Sequence, residues 1–231
     1  MDHPASEPSL SPEAPILLHN EHPAILALSQ ADPKLAQLIR LVGELTLMPS
    51  SHPFESLAMS IISQQLSAKA AATIKSRVKH LIPDFTPETV LAADEAAIRA
   101  CGVSAPKIRY IRDLSSKITA GEVLLDSLYE LDNAELLKQL TSVKGIGIWT
   151  AEMFLIFALG RPDVMSLGDA GLQRAARWLH QLGEREDGNY LGQIAPVWAP
   201  YRSYASLYLW RAVDLGFVAS GQRVEDCVSL S

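Results

Sequence analysis

The chain has 231 residues, of which 48% are hydrophobic and 20% are charged. These proportions are typical of a folded protein with a substantial core, and they exclude a disordered or fibrous class. The longest strongly apolar run, Met153 to Leu159, is far shorter than the ~20 residues of a membrane span. Two cysteines, Cys101 and Cys227, are too few for a four-cysteine iron–sulfur cluster. Because the N-terminus lacks the pattern of a secretion signal, we expect a cytoplasmic protein with no membrane partner.

The net charge of −6 is unevenly distributed along the chain. Residues 63–117 carry 9 basic and 5 acidic side chains, whereas residues 1–62 carry 2 and 7, and residues 118–231 carry 9 and 14. A binding surface needs positive potential only where phosphates lie, so the total charge does not exclude a nucleic-acid partner. Taken alone, the basic segment is explained most simply as a solvated helix face.

In chain order, residues 1–18 predict a flexible tail, since residues 1–15 contain four prolines and few large apolar side chains. The first helix is expected to begin near His22-Pro23, and a second at Asp32-Pro33, where an N-cap residue precedes a proline. Apolar residues at helical spacing then predict one long helix from about Pro53 to His80. Further short helices are expected to begin near Thr86, Asp94 and Ser104, and another behind Asp132 or Asn133.

In the second half of the chain, Gly145 and Gly147 interrupt the helical pattern. The nearly all-apolar segment Trp149–Leu159 then predicts a buried helix. Asp169 precedes an amphipathic helix, and a last helix is expected over about Arg202 to Phe217. No pair of segments has the pattern of a strand hairpin. The sequence therefore predicts an all-α fold.

The most distinctive local feature is the segment Leu140–Ala151, in which one residue separates Gly145 from Gly147. Glycines at this spacing let the backbone approach another molecule closely, and free N–H groups of the following helix can bind a phosphate oxygen. Lys144 adds a positive charge. A plain helix–turn–helix connection with glycine caps explains the same pattern equally well.

Five segments in this order resemble the helix-hairpin-helix–GPD superfamily of DNA glycosylases, in particular its alkylation-repair branch, 3-methyladenine DNA glycosylase II. They are Ile61–Ser67, Ser104–Leu114, Val143–Ala151, the pair Gly168-Asp169, and Pro200–Trp210. The resemblance covers nearly the whole chain. It implies a domain over residues 19–231 with two helical subdomains flanking a cleft, one from the middle of the chain and one from both ends. It also implies a monomer that binds double-stranded DNA containing damaged bases.

Asp169 matches the acid of the GPD motif, so the resemblance implies that it is the catalytic carboxylate. Breaking an N-glycosidic bond leaves an oxocarbenium-like sugar, which a nearby carboxylate stabilises while it orients the attacking water. Asp169 also stands where a good helix N-cap would, and the two roles are compatible. Leu167 and Gly168 occupy positions where many relatives carry proline or aspartate.

Trp149 stands where bifunctional members of the superfamily carry a lysine nucleophile. An indole cannot form a Schiff base, so the resemblance implies base excision by water without strand cleavage. Trp149, Met153 and Trp210 match the base pocket, in which aromatic walls attract cationic alkylated purines. Met153 replaces a tyrosine of the resembled enzyme, and core packing is the alternative role for both tryptophans.

In relatives, the loop that matches Gln64–Ser67 supplies the side chain that fills the space left by a flipped base. The resemblance implies that this wedge is Gln65 or Leu66 here, with core packing as the alternative for Leu66.

The hairpin is expected to hold a DNA phosphate through Lys144 and the main-chain N–H groups of Gly145 and Gly147. The resemblance further implies a monovalent cation, Na⁺ or K⁺, on the backbone carbonyls of Thr141, Val143 and Gly145. No cofactor is expected for catalysis.

Together these expectations describe a monofunctional DNA glycosylase that flips out and excises alkylated purines, such as 3-methyladenine and 7-methylguanine, in base excision repair. Its cellular site is expected to be the bacterial nucleoid or the nucleus, according to the source. A glycosylase for another lesion, such as uracil or hypoxanthine, is the alternative within the superfamily. A catalytically silent, structure-specific DNA-binding protein is the alternative from another class.

Overall fold

The computed structural model describes residues 14–125, 127–182 and 189–228. Helices are the predominant regular structure of this part of the chain, which confirms the all-α class. No helix within these ranges is long and apolar enough to cross a membrane.

The elements follow one another along the chain with short connections. In order they are β1 (Ile16–Leu18), α1 (Pro23–Ala31), α2 (Pro33–Val42), β2 (Leu45–Leu47), α3 (Pro53–Ser63), α4 (Ala68–Leu81), α5 (Pro87–Ala92), α6 (Glu95–Ala100), α7 (Ala105–Thr119), α8 (Asn133–Thr141), α9 (Ile148–Met153), a π-helical turn (Phe154–Ala158), α10 (Ala170–Leu179), α11 (Tyr190–Ile194), a 3₁₀ turn (Ala195–Trp198), α12 (Arg202–Asp214), α13 (Phe217–Ser220) and α14 (Val224–Val228).

The buried side chains form two separate clusters, one for each subdomain. The first cluster lies in the middle of the chain, from Phe54 on α3 to Val164. The second combines both ends, since Leu18, Leu28 and Leu38 pack with residues from Met165 onwards. The chain therefore enters the end subdomain, leaves it for the middle subdomain and returns. Sites between the two clusters are positioned by both.

The end subdomain contains a two-stranded antiparallel pair that the sequence did not predict. β1 and β2 pair with Ile16 opposite Leu47 and Leu18 opposite Leu45. Two helices separate these strands in sequence, so they do not form a hairpin, and three-residue strands are too short to show an alternating pattern. The predicted tail of residues 1–18 also ends earlier than expected, because Leu18 is fully buried; its first 13 residues lie outside the described ranges.

The single helix predicted from Pro53 to His80 is two helices, α3 and α4. The break falls at residues 64–67, where Gln65 has a positive φ of 57° and Ser67 caps α4 through its side chain. Residues 64–67 contain neither glycine nor proline, and apolar residues continue at helical spacing on both sides. For this reason the break was not predicted. The result is an exposed four-residue loop, called here the 64–67 loop.

The helix predicted over Trp149–Leu159 is also divided, because α9 passes into the π-helical turn. The amide of Leu159 donates to the carbonyl of Phe154, five residues back. π-turns are rare and occur often at functional sites. The inner face of this segment is buried in the middle subdomain, whereas Trp149 and Phe157 are exposed.

Candidate active site and nucleic-acid interface

Asp169 is the N-cap of α10 and lies where the two subdomains meet. Its Oδ1 accepts a hydrogen bond from the backbone N–H of Leu172 at 2.8 Å. The indole N–H of Trp149, from the middle subdomain, donates to Oδ2 at 2.9 Å. The indole N–H of Trp210, from the end subdomain, donates to Oδ1 at 3.2 Å. The carboxylate is therefore fixed by donors from both sides of the junction.

These donors determine the charge of Asp169. Partial burial by itself would raise the pKa of Asp169, but the hydrogen bonds from the Leu172 amide, the two indoles and the Gly171 amide together hold it below its usual value. Hydrogen bonds to the charged form favour ionisation in this way. Asp169 is thus both the predicted helix cap and a fixed, ionised carboxylate that is partly exposed.

The two tryptophans have a role that the sequence did not reveal, because each directs its N–H edge at Asp169. Trp149 is 50% exposed, so its ring faces remain accessible while its edge is occupied. Trp210 is more buried and packs against Phe157 with ring centroids 5.5 Å apart. Since the indoles act as donors at their edges, stacking on a ligand and holding Asp169 are compatible for Trp149.

A cleft of about 730 Å³ opens beside Trp149. Trp149 and Met153 contribute to its wall, as the sequence predicts for a base pocket, together with Phe157 one further helical turn along. Trp210 lies instead in a smaller neighbouring cavity of about 190 Å³, which shares Phe157 with the cleft. Phe157 therefore separates the two predicted pocket tryptophans.

Several residues that line this cleft were not predicted from the sequence. Phe157 is 43% exposed although it belongs to an apolar run, and its spacing of four from Met153 and eight from Trp149 was the available indication. Met48 and Met59 also line the cleft. Methionine fills irregular space and contacts aromatic rings favourably, so these walls suit a flat, polarisable ligand.

A second acid, Glu152, lies near Asp169 and was not singled out from the sequence. Burial raises the pKa of Glu152, the negative charge of Asp169 raises it further, and the Ser166 hydroxyl, which donates at 2.5 Å, opposes the change. The two carboxyls therefore differ, since the pKa of Asp169 is lowered and that of Glu152 is raised. Neither carboxyl lines the cleft; Asp169 lies next to it through its hydrogen bond with Trp149, which does.

The two wedge candidates both lie on the 64–67 loop beside the cleft. Gln65 is exposed and lines the cleft, and Leu66 is 37% exposed, so Leu66 is not a core residue. The positive φ of Gln65 turns the chain sharply at this point. The fold therefore places both side chains on the same loop, next to the cleft.

The hairpin loop, residues 142–147, joins α8 to α9. Gly145 has a φ of 83°, and a Cβ atom there would lie 2.2 Å from the ring of Tyr110. Only glycine therefore fits at this position. The side chain of Lys144 is 74% exposed, and its backbone N–H donates to Asp113 at 2.9 Å, with the ammonium 3.5 Å from the same carboxylate. Asp113 is thus a hairpin partner that the sequence analysis missed.

The predicted cation ligands in the hairpin are already partly engaged. The carbonyl of Val143 accepts from the amide of Ile146 at 3.1 Å, and that of Gly145 accepts from the Gln64 side chain at 2.9 Å. Within the described ranges no cluster of histidine, cysteine and acidic side chains could hold a metal ion. The carbonyls of Thr141, Val143 and Gly145 therefore do not form a free set of three, and the monovalent cation stays a prediction.

Comparison with known proteins agrees with this architecture. The family model described as HhH-GPD superfamily base excision DNA repair protein matches residues 58–200. The chain is 36% identical over 199 residues to DNA-3-methyladenine glycosylase 1 of Schizosaccharomyces pombe, covering 83% of this chain and 87% of that protein.

Two solved structures superpose closely on the chain. The crystal structure of a DNA-3-methyladenine glycosidase from Bacillus halodurans has a TM-score of 0.80 and 41% identity, over 85% of this chain and 92% of that one. The Schizosaccharomyces pombe 3-methyladenine DNA glycosylase in complex with abasic DNA has a TM-score of 0.72 and 35% identity, over 84% and 97%. Because the family model matches residues 58–200 and these relatives cover most of the chain, this protein belongs to the HhH-GPD superfamily of base excision DNA repair proteins.

Proposed function

We propose that this chain is a monofunctional DNA glycosylase that excises alkylated purines, such as 3-methyladenine and 7-methylguanine, by hydrolysis of the N-glycosidic bond. The observation that carries the proposal is the Asp169 carboxylate, which two indoles from different subdomains hold ionised beside an aromatic cleft. The names of the matched proteins, 3-methyladenine DNA glycosylases and glycosidases, support the same substrate class.

The carboxylate matches the charge demand of this reaction. As the base departs with the bonding electron pair, positive charge develops on the sugar, and a preorganised anion stabilises it without reorganisation. The same carboxylate can orient the water that attacks the anomeric carbon. Alkylated purines already carry positive charge and leave as neutral bases, so no general acid is required at the base.

The cleft matches the leaving group. A cationic purine flipped out of the duplex meets the exposed face of Trp149 and the ring of Phe157, and cation–π contacts of this kind contribute ~0.5–2 kcal/mol. Met153 fills the wall between them without adding a donor or acceptor of fixed direction. These three side chains therefore favour a flat, positively charged ligand, which suits several alkylated purines.

The partner of the reaction is double-stranded DNA, and the hairpin and the 64–67 loop are the surfaces proposed to bind it. Lys144, with the N–H groups of Gly145 and Gly147, is proposed to hold a backbone phosphate. Gln65 or Leu66 is proposed to occupy the space that the flipped nucleotide leaves. The complex of the Schizosaccharomyces pombe relative with abasic DNA supports DNA as the partner.

The proposal is tested by measuring the formation of abasic sites in DNA substrates that each carry a known lesion. The protein is incubated with duplexes containing 7-methylguanine, hypoxanthine, uracil or no lesion, and cleavage is scored with and without alkali. We expect abasic sites from the 7-methylguanine duplex and strand breaks only after alkali, with no borohydride-trapped adduct because Trp149 cannot form an imine. Excision confined to uracil or hypoxanthine, a trapped adduct, or binding without excision would each contradict it.

A further inference from the structure

Helix α7 contacts both loops that face the proposed DNA surface. Lys107, Tyr110 and Asp113 are spaced three residues apart, so they lie on neighbouring turns of one helix face. Lys107 contacts the start of the 64–67 loop, while Tyr110 and Asp113 contact the hairpin loop. One rigid helix therefore supports two loops that are distant in sequence.

Lys107 is held at the end of α3. Its ammonium donates to the carbonyl of Ile62 at 2.8 Å and to that of Gln64 at 2.6 Å. The last carbonyls of a helix lack partners within the helix, and a cation there also interacts favourably with the helix dipole. Two of the three donors of Lys107 are thus used on the backbone where α3 ends and the 64–67 loop begins.

The two loops are also joined directly. The side chain of Gln64 donates to the carbonyl of Gly145 at 2.9 Å, across 81 residues of sequence. On its other side, Gly145 packs against the ring of Tyr110 so tightly that no side chain fits there. These contacts therefore connect α7 to the 64–67 loop, that loop to the hairpin loop, and the hairpin loop back to α7. The residues that make them are Lys107, Gln64, Gly145 and Tyr110.

We propose that Lys107 is a positioning residue for base flipping, which holds the 64–67 loop in register with the hairpin so that wedge insertion and phosphate binding occur together. This rests on the proposed function, which assigns those two loops to the DNA. Lys107 acts through Gln64 and the loop backbone and needs no contact with DNA, since its ammonium already binds two carbonyls. Loss of register moves the wedge relative to the phosphate, and misplacements of about 1 Å cost up to about 10²-fold in rate.

The test uses Lys107→Met, which keeps the length of the side chain and removes the donors. Lys107→Arg restores donors and charge, and Lys117→Met is the matched control, because Lys117 lies on the same helix and pairs with Glu122 instead. Four readouts are taken on each protein: melting temperature, affinity for undamaged duplex across a salt series, fluorescence of 2-aminopurine next to 7-methylguanine, and single-turnover excision at saturating enzyme.

We expect Lys107→Met to bind undamaged duplex with the wild-type salt slope, because no phosphate contact is lost. Its 2-aminopurine signal should fall, and excision at saturating enzyme should fall about 10- to 100-fold, with partial recovery in Lys107→Arg and no change in Lys117→Met. Wild-type excision and fluorescence in Lys107→Met would overturn the proposal. A salt slope shallower by about one contact would also overturn it, by making Lys107 a direct phosphate ligand.

A second variant covers the case in which Lys107→Met fails to fold. Gln64→Met cuts the link to Gly145 from a partly exposed position, and we expect the same pattern of normal duplex affinity with reduced fluorescence and excision. Wild-type values in Gln64→Met would overturn the proposal. The fluorescence readout is independent of excision, so a wild-type protein that flips bases but releases none would contradict the proposed function and leave the positioning role testable.

Discussion

Two aspartates in this protein share the same local chemistry and differ in their surroundings. Asp32 caps α2 through the amides of Lys34 and Leu35, and its Oδ2 accepts from the indole of Trp198 at 2.9 Å and faces His180 at 3.1 Å. Asp169 likewise caps its helix and accepts from indoles. In both, burial by itself would raise the pKa, but the hydrogen bonds lower it by more, so that each pKa lies below its usual value.

The two aspartates differ in how far their side chains are exposed. Asp32 is only 4% exposed and lies inside the end subdomain, where all its partners belong to one core. Asp169 is partly exposed at the junction of the two subdomains, and one of its indoles forms a wall of the cleft. The same capping arrangement therefore stabilises the fold in one place and presents a fixed anion to a ligand in the other. A helix cap and a catalytic carboxylate are distinguished by what lies beside them, not by the capping motif.

The largest effect is expected from Asp169→Asn. Asparagine caps a helix about as well as aspartate, and water can take the place of the lost acceptor at the exposed Trp149, so the melting temperature and duplex affinity should stay close to wild type. The amide carries no charge, and loss of one preorganised electrostatic group costs about 10²–10³ in rate. Single-turnover release of 7-methylguanine measures this. If the Asn variant excised the base as fast as wild type, Asp169 would be a structural helix cap like Asp32 and not a catalytic carboxylate.

The next largest effect is expected from Asp32→Asn, and it falls on stability. The variant keeps the cap but leaves the indole N–H of Trp198 facing an amide group, and a buried donor without a partner costs about 1–3 kcal/mol. Urea unfolding of wild type and variant measures the difference in free energy of unfolding. The excision rate per folded molecule should not change, and a rate loss like that of Asp169→Asn would contradict the comparison.

The difference in stability between wild type and Asp32→Asn is expected to depend on pH. Because the folded pKa of Asp32 is lowered, its stabilising contribution is complete above the unfolded value, about 3.9, and is lost as pH falls through the lower folded value. The stability advantage of wild type over Asp32→Asn should therefore shrink only in that acid range. Urea unfolding repeated at decreasing pH measures it, and an advantage already lost near neutral pH would contradict the assignment.

A smaller effect is expected from Trp149→Phe, which keeps an aromatic wall and removes one donor to Asp169. Water can replace part of the lost hydrogen bond at this exposed position, so we expect excision to fall by about tenfold, the equivalent of about 1.4 kcal/mol. The pKa of Asp169 should rise, which moves the acid limb of the rate profile to higher pH. Trp198→Phe is the matched control: it removes the same donor from Asp32 and should lower stability without changing the rate profile.

The smallest effect is expected from Lys144→Ala. Its ammonium lies 3.5 Å from Asp113, so part of its charge is already balanced. Affinity should fall alike for all duplex sequences, and the salt slope should become shallower by about one phosphate contact. Fluorescence anisotropy over a salt series measures both. An unchanged slope would remove Lys144 from the phosphate site.

Local features of the fold were predictable from the sequence, and contacts between distant segments were not. Asp32 and Asp169 were both recognisable as caps because the residues that follow them begin amphipathic helices. Gly145 of the hairpin was recognisable because a positive φ and close packing require glycine there. The β1–β2 pair, the break at Gln65 and the contact of Gln64 with Gly145 depend on tertiary packing, which leaves no periodic pattern in the sequence.

The candidate site divides in the same way. Asp169, Trp149 and Met153 were identified individually, through motif resemblance. That both indoles hold the carboxylate, and that Phe157 separates Trp149 from Trp210, depends on how the two subdomains meet. Neither subdomain alone contains the site, so no single stretch of sequence encodes it.

The most direct test of the central claim is a crossed comparison of Asp32→Asn and Asp169→Asn. Single-turnover excision of 7-methylguanine and free energy of unfolding are measured on the same preparations of both variants and of wild type. We predict that Asp169→Asn is stable and slower by at least about 10², whereas Asp32→Asn is less stable and excises at the wild-type rate per folded molecule. If both variants lost excision only in proportion to their loss of folded protein, Asp169 would be a structural cap and the account of the active site would be wrong.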